Sequence, residues 1–182
     1  VTALFGAKQP DIPAGYNFSV LYRLGDPLAA SVASYRNDGT DEAASYAQRA
    51  GDHHDGMHYF GLSATGTYST TASDRGLLVM NHEAITPAFL HAAGPTIVNN
   101  TRTVASEVLK EFYVHGVSVV EVGKSGANWS YNQASTFNRR IHTLTDMALS
   151  GPAAGAAMIT KYSTNGTRTP GQPVTYRLVL GL

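Results

Sequence analysis

The clearest pattern along the chain is the continuous apolar run Gly76-Leu-Leu-Val-Met-Asn81, with Arg75 before it and His82-Glu83 after it. A run of this length between polar residues predicts a strand buried on both faces. Met57-His-Tyr-Phe-Gly-Leu62, Val117-Ser-Val-Val-Glu-Val122 and Tyr176-Arg-Leu-Val-Leu180 predict further strands. Asn128-Trp-Ser-Tyr131 predicts a hairpin partner across the turn Gly123-Lys-Ser-Gly126. Phe18 to Leu24 mixes β-formers and stops at the turn signal Gly25-Asp26-Pro27, so it too reads as a strand.

Helical periodicity is confined to Thr101–His115. There Val104, Val108, Leu109 and Phe112 predict one apolar face, Thr101 or Thr103 a cap, and Gly116 a stop. Residues 29–56 read as a long polar loop with one helical turn near Asp41–Arg49, and residues 132–143 as a polar loop running into Phe137-Asn-Arg-Arg-Ile141. Short strands between glycine turns predict a mostly β fold, a sandwich or part of a β-propeller, with one or two short helices. The whole chain, 1–182, reads as a single segment, and a strand still running at the last residues predicts that more chain follows.

Composition narrows the function. Hydrophobic residues make up 43% of the chain, enough for a core, while charged residues are only 14%. Thirteen basic and thirteen acidic residues balance to a net charge of zero, so no basic field exists to attract nucleic acid. No apolar run approaches the roughly 20 residues that a membrane-spanning helix needs. Absence of cysteine excludes disulfides, thiol nucleophiles and Cys-ligated metal within the chain.

Four clusters could carry chemistry. Asn81-His82-Glu83 follow a buried strand; their oxygens suit a hard cation, and carboxylate with imidazole suits iron, or they simply form a hydrogen-bonded strand end. Asp52-His53-His54-Asp55 is either a metal-binding cluster or an exposed polar loop, and adjacent histidines on a strand face opposite ways. At Asp55-Gly56 a turn could aim the carboxylate at a site. Arg139 and Arg140 are conspicuous in a chain with few carboxylates. A guanidinium fork matches a phosphoryl group, and the competing reading pairs these arginines with Asp146 or Glu121. Ser150-Gly-Pro-Ala-Ala-Gly155 is small enough for its backbone to approach an anion, although a plain turn explains it too.

Taken in order, these pieces resemble the N-terminal part of the PhoX-type alkaline phosphatases. The matching elements are Gly15-Tyr16, Arg23-Leu-Gly-Asp-Pro27, His54-Asp-Gly-Met57 with Tyr59-Phe60, and Arg75-Gly-Leu-Leu-Val-Met-Asn-His-Glu83. They continue through Val120-Glu-Val122, Trp129, Phe137-Asn-Arg-Arg-Ile141, Thr143 to Gly155 and Gly166-Thr-Arg168. The resemblance implies a β-propeller phosphomonoesterase, periplasmic or extracellular, that uses calcium with ferric iron to release phosphate from small organic esters. Export would make this chain the processed form, its signal peptide removed. The resemblance strengthens Glu83 as an expected metal ligand and Arg139 or Arg140 as an expected catalytic arginine, while Asn81, His82 and Asp55 stand as expected metal ligands from the residues themselves. The family also carries a cysteine and a glutamate-rich segment beyond the Ser-Gly-Pro-Ala-Ala-Gly region; this chain has neither. The iron site is therefore expected to be incomplete here, and the isolated chain inactive without a C-terminal portion. A truncated relative that assembles by strand pairing with copies of itself, or a calcium-binding module, is the alternative.

Overall fold

The computed structural model describes residues 11–148 and 175–176. Its centre is an antiparallel sheet in the order β1 (His54–Gly61), β2 (Arg75–His82), β5 (Gly116–Ser125) and β6 (Asn128–Tyr131). A fifth strand, β7 (Arg139–His142), shares β5's outer edge with β6. Two small pairs stand apart: β3 (Ile97–Val98) with β4 (Thr101–Arg102), and β8 (Met147–Ala148) with β9 (Thr175–Tyr176). The helices are α1 (Pro87–Leu90), α2 (Ala105–Val114) and a 3-10 helix at Ala43–Gln48. The described residues are thus mostly antiparallel β, with few and short helices. Ser150–Gly155 and most of the predicted last strand lie outside the described residues.

Cross-strand partners share a face, and successive residues alternate between faces. The register Met80↔Ser118↔Arg140, Leu78↔Val120 and Gly76↔Val122 defines one face. It packs on Tyr22, Leu28 and Ala50, so Met80, Ser118, Val120 and Val122 are all buried. On the opposite face lie Leu77, Val79, Val117, Val119 and Ile141, which are only half-buried. Tyr46, Leu90 and Val114 form a second cluster under the helices.

Three expectations change. Phe18–Leu24 has no strand partner and runs as irregular backbone; its contribution is to place Tyr22 in the core. The polar stretch 132–143 contains β7, which the sequence pattern did not show. Between β6 and β7 on β5's edge one ladder position is open, and Asn138 fills it. Its Oδ1 accepts the Glu121 backbone N–H at 2.8 Å, while its Nδ2 donates to the carbonyls of Leu28 at 2.8 Å and Asn132 at 2.7 Å.

Helix α2 departs furthest from its amphipathic pattern. Leu109 and Phe112 are exposed at 38% and 43%, while Lys110, Glu111 and Val114 are buried. The buried charges are satisfied, as burial requires. Lys110 Nζ donates to the carbonyls of Gly39 at 3.0 Å and Leu90 at 2.9 Å. Glu111 Oε1 lies 2.9 Å from His91 Nε2 and 2.8 Å from an Arg102 guanidinium nitrogen. Neither Thr101 nor Thr103 caps the helix: the N-cap is Val104, with no side-chain hydrogen bond.

Candidate functional site

Strand β2 carries Asn81 and His82 at its C-terminal end, and Glu83 follows it. The pleat separates the first two. His82 turns into the packed face, where it is 2% exposed. Its Nε2 lies 2.8 Å from Ser118 Oγ, which is in turn 3.2 Å from the Tyr22 hydroxyl. Burial pushes the His82 pKa down to about 2, and the charge of Arg140 and the neighbouring His54 ring add to the effect. It is therefore a neutral core imidazole. Asn81 faces the other way, and its Oδ1 is buried without a hydrogen-bond partner among the described residues. Glu83 is exposed, and its backbone N–H reaches the His53 carbonyl at 3.3 Å. Asp55 is also exposed, in the irregular stretch of β1 between His54 and Met57 that interrupts the pairing with β2.

The two arginines divide in the same way. Arg140 lies on the packed face, and the five N–H groups of its guanidinium are shared among six backbone carbonyls. Three of these acceptors, Tyr113, Val114 and His115, end helix α2 at 2.9, 2.6 and 3.0 Å, where a cation complements the helix dipole. The others are Arg49 at 2.9 Å, Val117 at 3.0 Å and Ile141 at 2.7 Å. Burial lowers its pKa to about 10, and no carboxylate pairs with it among the described residues. Arg139 is exposed on the opposite face and makes only a 3.3 Å bond to the carbonyl of Phe137. Glu121, a partner considered for either arginine, instead accepts from Arg75 Nε at 2.8 Å and from Ser135 Oγ at 2.5 Å.

Sequence reasoning missed the groups that hold this arrangement. Ser118 and Tyr22 bear ordinary side chains in ordinary contexts, so nothing marked them, and Asn138 stood out only as the neighbour of the two arginines. Two glycines did leave a trace. A Cβ at Gly116, whose φ is 120°, would strike the Ile141 carbonyl, and one at Gly51 would strike the Val114 carbonyl and the His82 ring. Both therefore permit the close approach that Arg140 and His82 require.

The Asp52-His53-His54 stretch is a tight corner. Asp52 Oδ1 accepts the His53 backbone N–H at 2.9 Å, and Oδ2 accepts that of Thr86 at 2.6 Å. His53 adopts a left-handed φ of 43° with its Nε2 2.9 Å from Thr86 Oγ1. Among the described residues, no group of three or more His, Asp and Glu side chains could hold a metal ion. By type, the orphaned Asn81 oxygen and the exposed carboxylates of Glu83 and Asp55 fit calcium, although they supply fewer than the roughly six to eight oxygens it takes. His82, bonded to Ser118 inside the core, does not fit as an iron ligand.

Comparison with known proteins agrees with this architecture. The family model described as alkaline phosphatase PhoX matches residues 6–173. No curated protein matches the chain. A solved structure, Pseudomonas fluorescens PhoX in complex with vanadate, a transition state analogue, superposes with a TM-score of 0.69 at 32% identity. The alignment covers 81% of this chain and 23% of that one, so the chain spans under a quarter of that relative's length. The match runs through Glu83 and the strands that carry Asn81, Arg139 and Arg140, and this chain belongs to the PhoX family of alkaline phosphatases.

Proposed function

We propose that this chain is the N-terminal part of an exported, metal-dependent phosphomonoesterase, with calcium and ferric iron as its metals and small phosphate esters as its substrates. In this reading the central sheet is one of the first blades of a β-propeller, and residues 1–182 are a single segment of it. The observation that carries the reading is the sorting by the pleat. Asn81 and Arg139 share the sheet face that leaves their polar groups unspent, and Glu83 is exposed just beyond the strand. Calcium held by Asn81, Glu83 and Asp55 would offset negative charge on a phosphoryl group. Arg139 presents N–H donors to phosphoryl oxygens from the same face. Arg140 acts as a positioning residue, fixing β7 against α2 and β5 and thereby fixing where Arg139 emerges. His82 and Ser118 tie the end of β2 to β5 from behind.

Calcium titration monitored by thermal unfolding tests this reading. Calcium near 1 mM is expected to raise the melting temperature by a few degrees, and Glu83→Gln to abolish the shift. Absence of any shift, or hydrolysis of a chromogenic monoester that ignores chelators, would overturn the metal-dependent reading.

One observation favours a second reading, a non-catalytic module that assembles with copies of itself. Among the described residues strand β1 has no partner on its outer side, and Met57 is exposed at 63%. Open edges invite strand pairing. Concentration-dependent oligomers without ester hydrolysis would support assembly, and a monodisperse monomer would sink it.

A further inference from the structure

Beside the corner at Asp52-His53 lies a cavity of about 940 Å³ that neither the metal ligands nor the arginines use. Its apolar wall is built from Val20, Tyr22, Leu24, Tyr35 and Phe89. Charged groups also line it, but these are occupied within the protein, while the Tyr35 hydroxyl is buried without a partner among the described residues. Arg23 and Asp26 form a forked pair, with Nε to Oδ2 at 3.2 Å and NH2 to Oδ1 at 3.0 Å. Asp52 has a backbone N–H on each oxygen. His53 is bonded to Thr86 Oγ1, His54 Nε2 donates to the Gly51 carbonyl at 3.1 Å, and the Tyr22 hydroxyl is bonded to Ser118. A ligand entering this cavity therefore meets aromatic and aliphatic surface rather than unpaired charge. That surface favours a flat, uncharged, apolar body over an ion.

Position gives this body a polar end. The backbone of His53, on the cavity wall, bonds directly to that of Glu83 at 3.3 Å. Glu83, whose carboxylate the phosphoester reading assigns to the metal, is thus the backbone neighbour of a residue of the cavity wall. We propose that the cavity receives the organic moiety of an aryl phosphate ester, with the phosphoryl group directed toward Glu83. The proposal rests on the phosphoester reading for its polar end and on the cavity wall alone for its apolar end. It predicts a preference for aryl over short polar alkyl esters.

Isothermal titration calorimetry of the 182-residue chain, with calcium present, separates the two. The probes are p-nitrophenyl phosphate, inorganic phosphate and p-nitrophenol. The nitrophenyl ester is expected to bind roughly tenfold more tightly than phosphate, and p-nitrophenol to bind measurably by itself. Phe89→Ala is expected to erase the tenfold gain and leave phosphate unchanged. Val20→Asp is expected to do the same; Val20 is 66% exposed, so the fold tolerates that change. Equal affinities for ester and phosphate with no p-nitrophenol binding would overturn the cavity and leave the phosphoester reading standing. Binding of p-nitrophenol without phosphate would retain the apolar site and overturn its phosphoryl end. A gain insensitive to both substitutions would place the aryl group elsewhere and also overturn the cavity.

Discussion

Arg139 and Arg140 are neighbours of one chemical type, and their surroundings assign them different work. Removing the Arg140 guanidinium would leave six carbonyls without their donor, in a region from which water is largely excluded. Buried acceptors stripped of a charged donor are costly. Arg140→Ala is therefore expected to cost about 3 kcal/mol or more, a fall in melting temperature of roughly 6–12 °C in a chain of this size. Arg140→Lys should recover only part of this, because an ammonium has fewer donors and no fork. Arg139→Ala should leave the melting temperature within about 2 °C of the parent and weaken phosphate binding instead. Scanning calorimetry of the three variants distinguishes these outcomes; equal losses for both arginines would refute the division.

Among the elements, β2 was legible because its apolar run is unbroken, although only one of its faces is packed and the other is half-buried rather than buried as the run predicts. Strand β7 was not: Arg-Arg reads as a polar loop, and only the carbonyls gathered from Arg49, Tyr113 and Val117 make an arginine tolerable on a packed face. Helix α2 was located correctly but faced wrongly. Lys110 is held by a carbonyl 71 residues away, and no local pattern reports such a partner. The consequence is measurable. Leu109→Gln is expected to change stability by less than about 0.5 kcal/mol, while Val114→Ala, at a side chain with 0% exposure, should cost about 2 kcal/mol. Urea unfolding curves decide this, and a larger loss at Leu109 would restore the amphipathic face read from the sequence. The candidate site was legible only as a list of residues. That Asn81 opposes His82, and Arg139 opposes Arg140, depends on strand parity, which a sequence shows only once both strands are recognised.

At the scale of the whole molecule, the buried His82 and three more accessible histidines set a pH response. His54, His82, His115 and His142 all have lowered pKa values through burial, with the charge of Arg140 contributing at each. The unfolded chain protonates them near their ordinary value, about 6.5. Below that pH the unfolded state binds more protons than the folded one, so stability falls as pH falls and is regained as pH rises. For His82, with a folded pKa of about 2, the loss continues through the acid range at up to about 1.4 kcal/mol per pH unit. Melting temperatures from pH 8 to pH 5 should decline, and less steeply in His82→Asn than in the parent. A flat profile in the parent would contradict the neutral-imidazole core.

The alternation along β7 also makes this short strand sensitive to phase. A slip caused by inserting one residue before Arg139 would exchange the two arginines between faces. One guanidinium would still enter the carbonyl cluster and the other would still emerge, so the composition of each side would hardly change. What would change is the reading frame of everything after it: Ile141 and His142 would trade sides, and β5 would meet the wrong neighbours along the edge it shares with β7. The paired arginines thus tolerate a slip that their neighbours do not.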